Sequence, residues 1–140
     1  MMEVIRGHGE DIYRRFGEEL TAHGEFSPEY FRSVMCHCRD VFVGKYNGTV
    51  IGVFGFVSPT LLSNWAYIWS YTPPLVRLDP ELKRVFAIHS TRNLLRQFSR
   101  YERFIGECME GDLSAQRWIK RLGGVFGTPA NGLIPFTLEK

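Results

Sequence analysis

Glu107 and Cys108 are the residues of this chain best suited to chemistry. They lie near the end of an apolar run, Phe104 to Met109, FIGECM. If that run is a central strand, its end is where open α/β sheets place their ligand crevices. Glu107 alternates with Ile105 and Met109. A carboxylate among apolar neighbours holds its proton to higher pH, which would suit a general base for an amine. The structural alternative is an ion pair with Arg103 or Arg117. Cys108 would need a histidine partner supplied by the fold, His89 or His37, to act as a nucleophile. No local motif points to one. Cys36-His37-Cys38 has metal-ligating residue types, but structural zinc prefers Cys-x₂₋₄-Cys spacing and four ligands. The nearest further candidates are His23 and Cys108. Small buried thiols beside an exposed histidine is the plainer reading.

Two stripes could bind rather than react. Trp65, Tyr67, Trp69 and Tyr71 alternate in WAYIWSY and would share one sheet face, with Ala66, Ile68 and Ser70 on the other. Such a face can stack a nucleobase or floor a cleft. It can also simply pack under a helix, which is the commoner use. Arg92, Arg96, Arg100 and Arg103 give a basic side to a long helix. A solvated face is the default, and a phosphate or acidic partner is the alternative.

The elements that must position these residues are legible in outline. Met2 to Arg6 reads as a short strand and Gly9 to His23 as a helix ended by Gly24. Ser27-Pro28-Glu29 starts a second helix, with a capping serine and proline in the first turn. Val41 to Tyr46 and Thr49 to Val57 flank Asn47-Gly48, a strong hairpin signal. Gly44, Gly52 and Gly55 within those runs suggest bulges or close backbone approach. Thr72-Pro73-Pro74 ends the aromatic strand, and Asp79-Pro80-Glu81 starts a helix that runs to about Phe98. Its apolar residues do not keep one narrow face, so it is largely buried or bends near Ser90 to Asn93. After the strand Phe104 to Met109 comes the helix of DLSAQRWIKRLGGVF. Ala115, Trp118, Ile119 and Leu122 mark its apolar face. Asp112 or Ser114 caps its start, and Gly123-Gly124 stop it. Leu133 to Leu138 reads as a last strand, edge or bulged because of Pro135. This order points to a single α/β domain over residues 1–140, a central mixed β-sheet with helices on both faces. The aromatic strand and Phe104 to Met109 should be parallel.

The totals exclude several classes. The chain has 140 residues, with 44% hydrophobic and 23% charged. A net charge of +2, spread along the sequence, makes nucleic acid an unlikely partner. Three cysteines argue against a disulfide framework and for a reducing cytoplasm. The longest apolar run, Val50 to Val57, is far short of a membrane span.

The element order, together with SAQRWIKRLGGVFG, resembles the GNAT (Gcn5-related N-acetyltransferase) superfamily. In that family the late helix carries N-x-x-A-x-x-x-Y-x-x-x-G-F. Here Asp112 stands for the asparagine, Ala115 for the alanine, and Leu122 and Gly123 for the Leu-Gly pair. The resemblance implies a GNAT-like fold and, if the chain is catalytic, acetyl-CoA as cofactor and a protein or small-molecule amine as acceptor. The backbone near Ser70 and Tyr71 would then hold the pantetheine, with Asp112 beside it. Glu107 would deprotonate the amine. An open gap between the aromatic strand and Phe104 to Met109 would admit a cofactor, whereas Trp69 or Trp118 filling it would not.

Two departures stand against catalysis. The family's glycine-rich loop binds the pyrophosphate through backbone N–H groups at a helix N-terminus. The matching stretch here, Thr72 to Leu82, TPPLVRLDPEL, has no glycine, and Asp79 puts a negative charge at the helix start. Arg77 would have to meet the phosphate instead. The tyrosine that often protonates the leaving thiolate is replaced by Ile119. Within the superfamily the chain is similar to small GNAT-like internal virion and assembly proteins of short-tailed bacteriophages. They share an aromatic strand followed by a loop without glycine, a basic long helix and a late element matched here by Trp118, Lys120, Gly123, Val125 and Phe126. That likeness implies a phage or prophage origin. It also implies a protein that works by binding a phage or host partner, in the host cytoplasm or with the virion.

Overall fold

A computed structural model describes residues 2–22, 24, 27–58, 60, 62–97 and 100–139. Its elements are β1 (Met2–Gly7), α1 (Gly9–Thr21), α2 (Pro28–Cys36), β2 (Asp40–Tyr46), β3 (Thr49–Val57) and β4 (Trp65–Tyr71), then α3 (Pro74–Arg77), α4 (Pro80–Gln97), β5 (Arg103–Met109), α5 (Leu113–Arg121), β6 (Val125–Phe126) and β7 (Leu133–Glu139). The strands form one sheet in the order β1-β2-β3-β4-β5-β7-β6. β4 and β5 are parallel, and the other neighbours are antiparallel. The fold is therefore the mixed α/β sheet expected. His23 and Phe98, expected as helix ends, lie outside the described residues.

Local chemistry explains the joints. Asn47 and Gly48 have φ of 51° and 84°, the left-handed pair a two-residue hairpin turn requires. The ladder between β2 and β3 slips at Gly44/Lys45, the expected bulge. The Ser27 side chain accepts the Tyr30 N–H and caps α2. Gly52 carries the Phe86 ring of α4, and a Cβ there would lie 2.5 Å from ring carbons. The Pro135 carbonyl accepts from Gly127, so its missing N–H also faces the β6 side. The β6 ladder reaches only Phe136 and Thr137, so the proline behaves as an edge residue there.

Strand alternation feeds two cores. Val41, Val43 and Val53 face Ile12, Phe16, Phe31 and Met35 of α1 and α2. Phe42, Phe54, Phe56, Ile68, Phe104 and Leu138 face the other way, toward Phe86 and Leu94 of α4 and Ile119 of α5. Helices thus cover both faces, but unequally. The α1/α2 core contains residues of β2, β3 and β4 and none of β5, β6 or β7.

Three expectations are corrected. The chain after β4 forms a short helix, α3, where a loop was expected. α4 is not largely buried. It buries one stripe, Phe86, Ser90, Leu94 and Gln97, and leaves Ile88 and Leu95 exposed. The arginines do not form one helix side. Arg100 lies beyond α4 and bonds Asp40 at 2.9 Å, and Arg103 lies on β5 and pairs with Glu139. Asp40 also accepts from Arg6 at 3.1 Å, so one carboxylate ties β1 to the segment after α4. Asp40→Asn is expected to cost about 1 kcal/mol, given how solvated both arginines are, read as a lower urea midpoint at unchanged slope.

Candidate functional site

The centre of the sheet opens at one end. β4 and β5 pair over Trp65–Tyr67 and Arg103–Ile105. Both strands then continue, to Tyr71 and Met109, without pairing with each other. On their outer sides β3 pairs with β4 as far as Tyr71, and β7 pairs with β5 as far as Met109. The opening is thus a gap inside a sheet, between the last residues of β4 and those of β5. Neither tryptophan fills it. Trp69 leans over Gly55 of β3 and donates its Nε1–H to Cys38 Sγ at 2.8 Å. Trp118 donates to Thr91 Oγ1 of α4 at 2.6 Å.

The N-termini of α4 and α5 stand together at this end, because Lys83 Nζ donates to Ser114 Oγ across them at 2.9 Å. Each carries partial positive charge and would attract an anion. Each is already capped by the chain's own carboxylate. Asp79 Oδ1 accepts from the N–H of Glu81 and Leu82, and Asp112 Oδ1 from the N–H of Ala115. The donors before α4 are spent as well. Val76 and Arg77 N–H bond the Pro73 carbonyl, Leu78 bonds Pro74, Asp79 bonds Val76, and Lys83 bonds the Asp79 carbonyl. Pro80 has none. Every backbone N–H from Val76 to Lys83 is therefore committed within the chain.

The structure brings some of the sequence candidates to this end and leaves others elsewhere. Ser70 and Tyr71 line a small apolar cleft of about 120 Å³ with Tyr30, Phe31, Val34 and Trp69. Arg77 is exposed in the last turn of α3. Asp112 serves as the α5 cap, so its carboxylate is engaged. Glu107 is exposed, which corrects the expectation of a carboxylate buried among apolar neighbours. Its side of β5 is the side no helix covers. Arg103, one expected partner, is taken by Glu139 at 3.1 Å. Ile119 is buried in the core. The aromatic stripe divides. Trp69 and Tyr71 pack edge-on against Phe31 of α2 at 6.2 and 5.6 Å, while Tyr67 stays 45% exposed. The Lys83–Ser114 and Trp118–Thr91 bonds span 31 and 27 residues and left no local signal in the sequence.

The buried thiols Cys38 and Cys108 are poor nucleophiles. Cys108 points into the α4/α5 core, opposite Glu107, and burial and then the Asp112 charge raise its pKa. His37 is tied to the Ser33 carbonyl. No group of three metal-ligating side chains gathers among the described residues. Burial pushes Cys38 up to about 11, against the bond from Trp69 and with help from Cys36. The unfolded thiol ionises near 9, so between pH 9 and 11 the folded state keeps a proton that the unfolded state loses. Stability should fall as pH rises through that window, by about 2 kcal/mol from this group. Cys38→Ala should flatten the urea-midpoint profile between pH 9 and 11, and an unchanged slope would contradict this.

No protein-family profile matches the chain. No curated protein matches it either. Solved structures do, over the whole chain. An acetyltransferase of the GNAT family from Streptococcus pneumoniae superposes at TM-score 0.69 with 7% identity, each chain covered 100%. An IAA acetyltransferase from Bacillus cereus gives 0.66 at 12%, again 100% of both chains. The N-acetyltransferase PseH of Campylobacter jejuni, solved with acetyl coenzyme A, gives 0.65 at 12%, covering 100% of this chain and 99% of its own. The chain has the GNAT acetyltransferase fold. No helix among the described residues is long and apolar enough to cross a membrane.

Proposed function

We propose that this chain is a GNAT-fold protein whose acetyl-CoA site is closed by its own residues and which works by binding a protein partner. The observation that carries the reading is the commitment of every backbone N–H from Val76 to Lys83, with the Asp79 carboxylate accepting from the N–H of Glu81 and Leu82 at the start of α4. A pyrophosphate would have to displace a covalently tethered carboxylate and would bring negative charge toward Asp79 and Asp112. The likeness to small virion and assembly proteins of short-tailed phages suggests a phage or host protein as the partner. Thermal unfolding tests the reading. A ligand held a thousandfold above its dissociation constant would add about 4 kcal/mol. One millimolar acetyl-CoA should therefore leave Tm unchanged, whereas a rise of several degrees would overturn the proposal.

A second reading, acetyl-CoA-dependent N-acetyl transfer to a protein or small-molecule amine, is favoured by one feature. The gap between β4 and β5 stays open. Pantetheine would then lie along Ser70 and Tyr71, Arg77 would meet the phosphates, and Glu107 would take the proton of the attacking amine. With Ile119 in the helix, the thiolate would leave unprotonated by that position. In this case the Tm rise with acetyl-CoA should shrink at least twofold in Arg77→Ala.

A further inference from the structure

α4 is apolar on two sides. The stripe that includes Phe86 and Leu94 packs on the sheet. Ile88 and Leu95 form a second stripe, and they are 48% and 55% exposed. Seven residues separate them, two turns or about 10.5 Å along one side of the helix. A helix on the surface of a domain needs only one apolar stripe, the one that faces the core. Thr91 shows which way the second stripe points. It lies three residues after Ile88 and four before Leu95, so it shares their side of α4. Its Oγ1 accepts the indole N–H of Trp118 from α5 at 2.6 Å. Ile88 and Leu95 therefore border the seam where α4 meets α5, with the half-buried Trp118 in it.

Cations flank this seam. On α4, Arg84 stands one turn before Ile88, and Arg92 lies between Ile88 and Leu95. On α5, Arg121 stands one turn after Trp118, and Arg117 one turn before Arg121. All four are exposed, and among the described residues none of them pairs with a carboxylate. The whole layer leans the same way. α4 and α5 together hold seven lysines and arginines against the single carboxylate of Glu81. On the opposite face of the sheet, α1 and α2 hold three arginines against five carboxylates.

We propose that the seam between α4 and α5 docks an acidic amphipathic helix of a partner protein. Apolar residues two turns apart on that helix would seat on Ile88 and Leu95, and its flanking carboxylates would meet Arg92 on one side and Arg117 and Arg121 on the other. A second copy of this chain fits poorly. Arg92 lies in the middle of the stripe, and a two-fold pairing of stripes would set it against its own image. A nucleic-acid backbone would neutralise the arginines but leave Ile88 and Leu95 without an apolar contact. The proposal rests on the reading of the chain as a binding protein, and adds where the partner sits and what chemistry it presents.

Peptide titration followed by NMR on the ¹⁵N-labelled chain is the test. The probe is a synthetic helical peptide about four turns long, with leucines seven residues apart and glutamates beside them. Its controls are the same peptide with lysine for glutamate and a scramble of the same composition. Saturable shifts are expected at the Trp118 indole N–H and at the Ile88 and Leu95 amides, with the acidic peptide about tenfold tighter than either control. Leu95→Ser should weaken it about tenfold. The double variant Arg92→Glu, Arg121→Glu should reverse the preference, so that the lysine peptide binds tighter. All three positions are exposed, so the variants should fold. Equal affinity for the three peptides, shifts that leave Trp118 and Ile88 unmoved, or tighter binding of duplex DNA or anionic lipid vesicles at the same residues would overturn the proposal. The titration contains no CoA. Its failure would leave the closed phosphate site standing, and a Tm rise with acetyl-CoA would sink that reading without moving these shifts.

Discussion

Phe104→Ala is expected to cost about 3–5 kcal/mol, a large part of a typical domain's stability. Phe104 is fully buried on β5, an interior strand held between β4 and β7. Its ring lies 5.1 Å from that of Phe56 and 5.6 Å from that of Tyr101. Ala66 on one side and Leu138 on the other are its cross-strand neighbours, and both are buried. A small side chain here leaves a cavity walled by paired strands, which cannot collapse without breaking ladder hydrogen bonds. Urea unfolding should show a much lower midpoint at similar slope. Phe104→Leu, which keeps most of the volume, should cost distinctly less. A loss below about 1 kcal/mol for the alanine would contradict the central place given to β5.

Gly106→Val comes second, at about 3 kcal/mol. A Cβ at Gly106 would sit 2.9 Å from the Ile68 carbonyl oxygen and 2.7 Å from Cζ of Phe136. The ring can turn aside, but the carbonyl belongs to β4 and cannot move without the strand. Gly106 directly follows the last β4–β5 pair, Tyr67 with Ile105. The residue that lets the two strands approach is thus also the residue at which they part. Valine should push the gap toward the paired end. Faster hydrogen exchange at Tyr67 and Ile105, beyond that explained by global stability, is the specific sign. Wild-type exchange at both amides would argue that β4 and β5 are not held by this contact.

How much of this was legible in the sequence depends on the range of the interaction. The Asn47-Gly48 hairpin, the aromatic strand, the Ser27 cap and the α5 helix with its glycine stop all rest on neighbours within a few residues. The acidic start at Asp79 was equally legible, because a carboxylate before a proline reads as a cap wherever it lies. The orientation of Glu107 shows the limit. Alternation put it with Ile105 and Met109 on one face but carried no information on whether a helix covers that face. α1 and α2 end their cover at β4, and so Glu107 lies open. The arginine stripe failed for a similar reason. Arg100 and Arg103 continue the spacing of Arg92 and Arg96 only if the helix continues, and it ends at Gln97. The α3 turn was missed because Pro73-Pro74 read as a break, although proline suits the first turn of a helix.

The closed phosphate site is the central claim, and calorimetric titration of the chain with acetyl-CoA and CoA tests it most directly. The account predicts no saturable heat for either compound up to millimolar concentration. Saturable micromolar binding, weakened by Arg77→Ala, would contradict it and would make the open gap between β4 and β5 a working cofactor site.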